Sequence, residues 1–299
     1  MVTEYPESNV SGIGLATFAR LVSAHTGGFV TTDIAYDNQL KISSADMPRA
    51  ANEGRISGGD AFAGTLTSLD AVFGLPTLPF IVRSLDVARE VNDRARSLYA
   101  KALRAQGLKL LYITIWPPTG LWSDRPIARA EDLRQLNMRT YDASSRDVMG
   151  AAGANAVFLP MSEAIAGLKE HRLNAFLTSG DGGAARKLWD FLPYYTPINY
   201  AIPVSLAFVR SEAFDALNDD VQKEVLAAAA ETERSQFDLL ASRTAENYAG
   251  MRANGVTIAD QAPARVLAAL RAAAIDPIAA WKARVGPLAL EIVEWAIRQ

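Results

Sequence analysis

The chain has no cysteine and only two histidines among its 299 residues. Without a thiol there is no disulfide framework, no thiolate metal site and no cysteine nucleophile. His25 and His171 each stand near the end of a predicted helix, where an imidazolium complements the helix dipole, and a structural role is the simpler use for both. No GxSxG elbow, no HExxH pair and no carboxylate run with the spacing of a calcium loop occurs. A surplus of one charge sign is missing too. The 30 Lys and Arg face 33 Asp and Glu, for a net charge of -3, which selects neither nucleic acid nor an anionic membrane as partner. No apolar run is long enough to span a bilayer. The opening MVTEYPESN also lacks the basic-then-apolar layout of a signal peptide. The chain is therefore expected to be cytosolic, or to be an exported protein whose leader was removed and to which Met1 was added.

What is present is a large apolar fraction, 49% of residues, enough for a sizeable core and more than one small domain needs. Residues 11 to 25 place Leu15, Phe18, Leu21 and Val22 on one helical face before stopping at Gly27-Gly28. Val30, Thr32, Ile34 and Tyr36 alternate as a strand would, and 47 to 54 reads as a short helix before a buried strand at 55 to 61. AVFGLPTLPFIV, with two prolines, cannot stay regular. A helix over 84 to 106 precedes the strand LKLLYITI, and this rhythm predicts crossover units with a mainly parallel sheet. WPPTGLWSDRPI, 116 to 127, reads as a constrained connection between lobes. Beyond it come the strand QLNMRTYD, a helix capped by Ser144 with Asp147, the strand AVFLP, a helix from Ser162 through Leu168, and the strand NAFLTSG. The longest predicted helix, 220 to 254, opens with a capping box of Asp219 and Gln222 and stops at Asn254-Gly255. At 1.5 Å per residue it is roughly 50 Å long, enough to run across both lobes.

Motifs for chemistry are few. Gly12-Ile13-Gly14 is half a dinucleotide fingerprint, but no strand precedes it and Thr17 replaces the third glycine, so a loop entering a helix is expected. SGDGGAAR, 179 to 186, could turn amides toward an anion, yet it lacks the Lys-Ser/Thr pair of a nucleotide loop, and a plain turn is the simpler reading. Within QLNMRTYD, Arg139 sits on a strand flanked by apolar Met138 and Leu136; it faces either water or a ligand. Aromatic and amide side chains around loops, with isolated arginines, describe a binding cleft better than a reaction centre.

The ordered segments RPIARAEDLRQLNMRTYDAS and GAAGANAVFLPMSEAIAGLKEHRLNAFLTS resemble the solute-binding subunits of tripartite ATP-independent periplasmic (TRAP) transporters of the DctP type. The matching steps are Arg125-Pro126-Ile127, Asp132 to Thr140, Gly153-Ala154, Ser162-Glu163 and Leu173-Asn174-Ala175. TEYPESN, His25-Thr26-Gly27-Gly28 and the long helix agree with it, so the resemblance covers nearly the whole chain. It implies an α/β fold of two lobes, with mixed sheets flanked by helices and one long helix spanning both. Lobe I is expected at 1–123 plus about 207–250, and lobe II at 124–206 plus about 251–299, with the ligand cleft between them.

The resemblance also implies residue roles. Arg139, matching the arginine of a "KIRVP" strand, is expected to pair with a ligand carboxylate, as a planar guanidinium can with two parallel hydrogen bonds. Met161 is expected beside the ligand, and Thr178 to hydrogen-bond the acid. Asp60 is placed at the ligand's far end, or else on a solvent-facing loop. Glu4, Tyr5, Asn199 and Tyr200 are further candidates. Thr119 stands where sialic-acid-type relatives carry a second arginine, so a second strong anion clamp is missing. Trp116 and Trp122 flank it, as core residues or as cleft walls suited to an aromatic monocarboxylate. The expected protein is a periplasmic monomer without cofactor that captures a small organic acid by hinge closure and hands it to the TRAP membrane permease. The rival readings are an enzyme using Asp142, Glu163 or Asp60 as base, and a ligand-sensing subunit of a signalling partner.

Overall fold

A computed structural model describes residues 1–299. Its contacts divide the chain into two units, Met1–Phe73, Asn92–Trp116 and Val204–Ala241 in the first and Gly74–Val91, Pro117–Pro203 and Ser242–Gln299 in the second.

In chain order, helices α1 (Val10–His25) and α2 (Met47–Asn52) precede strand β1 (Gly58–Phe62). Helix α3 (Leu85–Ala105) leads to β2 (Leu108–Ile115) and β3 (Thr119–Ser123). Then come β4 (Asn137–Thr140), α4 (Ala143–Ala151), β5 (Asn155–Phe158), α5 (Met161–Lys169), β6 (Ala175–Ser179) and α6 (Gly180–Ala184). The chain continues through β7 (Tyr194–Thr196), β8 (Val204–Arg210), α7 (Ser211–Asp215), α8 (Asp219–Ala253) and β9 (Thr257–Ile258). It ends with α9 (Ala264–Ala273), α10 (Ile275–Lys282) and α11 (Pro287–Ile297).

In the first unit the sheet order is β1-β8-β2, and both pairings are antiparallel. The mainly parallel sheet expected here is therefore corrected. Strands β1 and β2 do share a direction, as a helical crossover requires, but β8 returns from late in the chain and lies between them, running against both. The predicted strand at 30 to 36 is also absent. Only Ala35 bridges to Val2, because residues 31 to 36 stay part-exposed and offer no apolar face to bury. One face of α1 carries Phe18, Leu21 and Val22 onto Leu111, Tyr112, Ala207 and the Val225, Ala228 and Ala229 ridge of α8. Gly12 and Gly14 lie inside α1, not in a loop before it. A Cβ on Gly12 would come within 2.3 Å of the Pro6 carbonyl oxygen, so close backbone approach is what demands glycine there. Helix α8 is capped by Asn218, whose Oδ1 accepts from the Val221 amide at 3.0 Å, one residue before the predicted box.

The second unit holds a six-stranded mixed sheet in the order β5-β4-β6-β3-β7-β9. Strand β4 is parallel to β5 and β6, β3 is antiparallel to β6 and β7, and β7 is parallel to β9. Trp122, Phe176, Tyr195, Met161, Leu168, Leu188 and Met251 belong to one core cluster of this unit. The cap of α4 is Asp142 paired reciprocally with Ser145, not Ser144 as predicted.

Candidate functional site

Arg139 sits on an internal strand. It pairs with Val157 of β5 on one side and Phe176 of β6 on the other, and it is only 5% exposed. A solvated arginine is thereby excluded. Its Nε donates to the Leu159 carbonyl at 2.9 Å, and the guanidinium lies over the Phe176 ring, 5.9 Å from its centroid. The charge is thus carried on a fixed backbone, with its plane oriented by a carbonyl and an aromatic face. Strand alternation puts Arg139, Phe176 and Thr178 on one face.

The end of β4 continues this polar line. Tyr141 is buried, and burial pushes its phenol well above the ordinary value; the Thr119 hydroxyl and the Arg139 charge oppose that rise. Burial likewise raises Asp142, against hydrogen bonds from Ser145 and Thr77 and the charge of Arg139. Tyr200 packs edge-on against Tyr141, with ring centroids 6.4 Å apart. Its backbone is pinned on both sides: its N–H donates to Thr119 at 2.9 Å, and its carbonyl accepts from Phe80 at 2.7 Å. Asn199, by contrast, is exposed and adopts φ 47°; it is the turn residue that sends Tyr200 inward.

The remaining candidates fall in different places. Trp122 is 0% exposed, stacks edge-on with Tyr195 and donates its indole N–H to the Ser179 carbonyl at 3.2 Å. It packs within the core cluster of this unit. Met161 opens α5 and belongs to the same core cluster. Thr178 is buried under α6, where a Cβ on Gly182 would meet its Oγ1 at 2.6 Å, and one on Gly183 would meet the Trp122 ring at 2.3 Å. Close helix-to-strand packing explains the glycines of SGDGGAAR, which form a short helix rather than a plain turn. Gly183→Ala is expected to destabilise the protein by about 1–3 kcal/mol through forced overpacking, measured as a lower denaturant midpoint.

Glu4, Tyr5, Asp60 and Trp116 belong to the first unit. Glu4 accepts from the Ser44 hydroxyl at 2.9 Å. Trp116 packs edge-on to Tyr5 at 4.8 Å and donates to Ser205 at 2.9 Å. Asp60 is on strand β1 and fully buried, accepting from Ser11, so the solvent-facing loop is corrected. Burial pushes its carboxyl up to about 7, against hydrogen bonds from Ser11 and Ser205. A cavity of about 330 Å³ in the first unit, lined by Phe18, Val30, Leu111, Val209 and Phe214, contains none of the predicted site residues.

Nothing here assembles a reaction centre. His25 is held between Glu224 and Glu231 of α8, His171 occupies a left-handed turn at φ 55°, and no cluster suited to a metal ion exists. Sequence reasoning missed Tyr141 and Thr77. The period-two spacing from Arg139 gives Tyr141 away, whereas nothing local signals Thr77, which reaches Asp142 from a distant 3-10 segment.

The chain thus combines two α/β units, a late strand threaded between β1 and β2, and a buried arginine on a parallel strand. The family model for DctP, bacterial extracellular solute-binding protein family 7, matches residues 1–281, and the chain belongs to that family. It is a receptor rather than an enzyme. The comparison with curated proteins gave no match. Among solved structures, a Bordetella pertussis extracytoplasmic solute receptor binding pyroglutamic acid is similar, with TM-score 0.94, 25% identity, 100% of this chain and 98% of that chain covered. A marine metagenome TRAP solute-binding protein specific for pyroglutamate gives 0.93 and 23%, with the same coverage of 100% and 98%. A Sulfitobacter sp. NAS-14.1 TRAP periplasmic solute-binding protein with bound β-D-galacturonate gives 0.89 and 18%, covering 100% and 99%. No helix of this chain is long and apolar enough to cross a membrane.

Proposed function

We propose that the protein is the receptor of a TRAP transporter for a small organic acid, a monocarboxylate of the size of pyroglutamate. Acting as a monomer, it captures the acid by hinge closure and delivers it to the membrane permease. The observation that carries this reading is Arg139, a buried guanidinium held by the Leu159 carbonyl on an internal strand. Its Nη edge would take the carboxylate in a two-pronged pair, fixing orientation as well as charge. Micromolar capture needs about -8 kcal/mol, so apolar packing must supply much of the rest. The structural neighbours that bind pyroglutamate and uronates support a small acid.

Incubation with pyroglutamate, galacturonate, glucuronate and simple monocarboxylates tests the proposal. At least one acid should raise the melting temperature and be recovered unchanged, with a smaller radius of gyration in solution scattering. Chemical conversion of the acid, or no stabilisation by any acid, would reject it.

A further inference from the structure

Tyr200 is 0% exposed, yet no protein group hydrogen-bonds its hydroxyl, and the same holds for the buried Ser144 hydroxyl at the start of α4. A buried polar atom left unpaired is costly and calls for a partner that arrives from outside. Ser144 stands just beyond the carboxyl end of β4, in the first turn of α4, and the Tyr200 ring packs on Tyr141 at that same end, two residues beyond Arg139. In parallel α/β sheets this is the end beyond which ligands bind. The Tyr200 hydroxyl is within electrostatic reach of Tyr141, Asp142 and Asp147, and burial keeps it protonated, hence a donor. Two carboxyl groups nearby make the corner hostile to a second anion. What suits it is an uncharged acceptor.

We infer that Tyr200 and Ser144 form a second, specificity-determining subsite that donates hydrogen bonds to a neutral oxygen of the ligand. The protein then selects small acids bearing a carbonyl or hydroxyl oxygen besides the carboxylate, and rejects both purely hydrocarbon acids and dicarboxylates. The inference rests on the reading that Arg139 takes the carboxylate.

The test uses isothermal titration of the wild type, Tyr200→Phe and Ser144→Ala with pyroglutamate, galacturonate and cyclopentanecarboxylate, a ring acid lacking the second oxygen. The wild type should prefer the better oxygen-bearing acid over cyclopentanecarboxylate by tenfold or more. Tyr200→Phe should erase about tenfold of that preference, leaving cyclopentanecarboxylate binding unchanged. Ser144→Ala should erase a smaller part, and unliganded melting curves confirm that both variants fold. A wild type without preference, or two variants that keep it in full, overturns the subsite while leaving Arg139 in place. Absence of binding by any acid overturns the subsite and the arginine reading together; where the wild type does bind, loss of every acid in Arg139→Ala keeps the arginine reading standing whatever becomes of the subsite.

Discussion

Arg139→Ala is expected to weaken acid binding by at least a hundredfold while the protein still folds. A closely paired, water-excluded charge costs about 2–5 kcal/mol or more when one partner is truncated, and the ligand carboxylate would lose both its charge partner and its orienting fork. Arg139→Lys should fall between, because an ammonium keeps the charge but cannot offer two parallel donors. Folding suffers less. The variant loses the Nε bond to Leu159 and the contact over Phe176, about 1–3 kcal/mol for a stranded buried acceptor. Titration calorimetry with the tightest acid of the panel, alongside circular dichroism, separates the two effects. Alanine binding within threefold of the wild type would remove Arg139 from the site.

The balance between what could be read from the chain and what could not follows from the range of the interactions. The helices α1, α3 and α8 and the strands β2, β4 and β6 are legible because their apolar spacing is local. The position of Arg139 is legible through an ordered set of motifs, and its burial removes the solvated alternative. The antiparallel first sheet is not legible. Strand β8 finds its place by pairing with β1 and β2 across long stretches of chain, and no local pattern records that choice. The caps fail for a related reason. Asp142 and Ser144, or Asn218 and Asp219, are equally good capping types a step or two apart, and tertiary packing decides between them. Trp122 shows the same limit in the site. Composition makes it a core residue or a ligand wall, and its tight packing against Gly183 is a tertiary contact that no local pattern records.

Asp60 should make the stability of the protein fall as pH rises through the mildly acidic range. The carboxyl is on β1, fully buried, accepting from the Ser11 hydroxyl of α1, with Ser205 of β8 also bonded to it and Tyr112 of β2 close by. No cation is among these neighbours, and desolvation is the first cause of its rise from 3.8 to about 7. Below pH about 4 the group is protonated whether the chain is folded or not, and it contributes no pH dependence. Between about 4 and 7 the unfolded chain ionises this carboxyl while the folded one holds its proton, so unfolding gains ground with every step in pH. Above about 7 both forms ionise and the loss levels off, at about 4 kcal/mol in total. Asp60→Asn keeps the shape and a polar end while removing the titration. The difference in unfolding free energy between wild type and Asp60→Asn, measured by urea titration at pH 4, 5.5, 7 and 8, isolates this group from every other that titrates. The variant should be close to the wild type at pH 4 and more stable by a few kcal/mol at pH 8. A pH-independent difference would mean that Asp60 is ionised in the folded protein throughout, held by partners stronger than two serine hydroxyls.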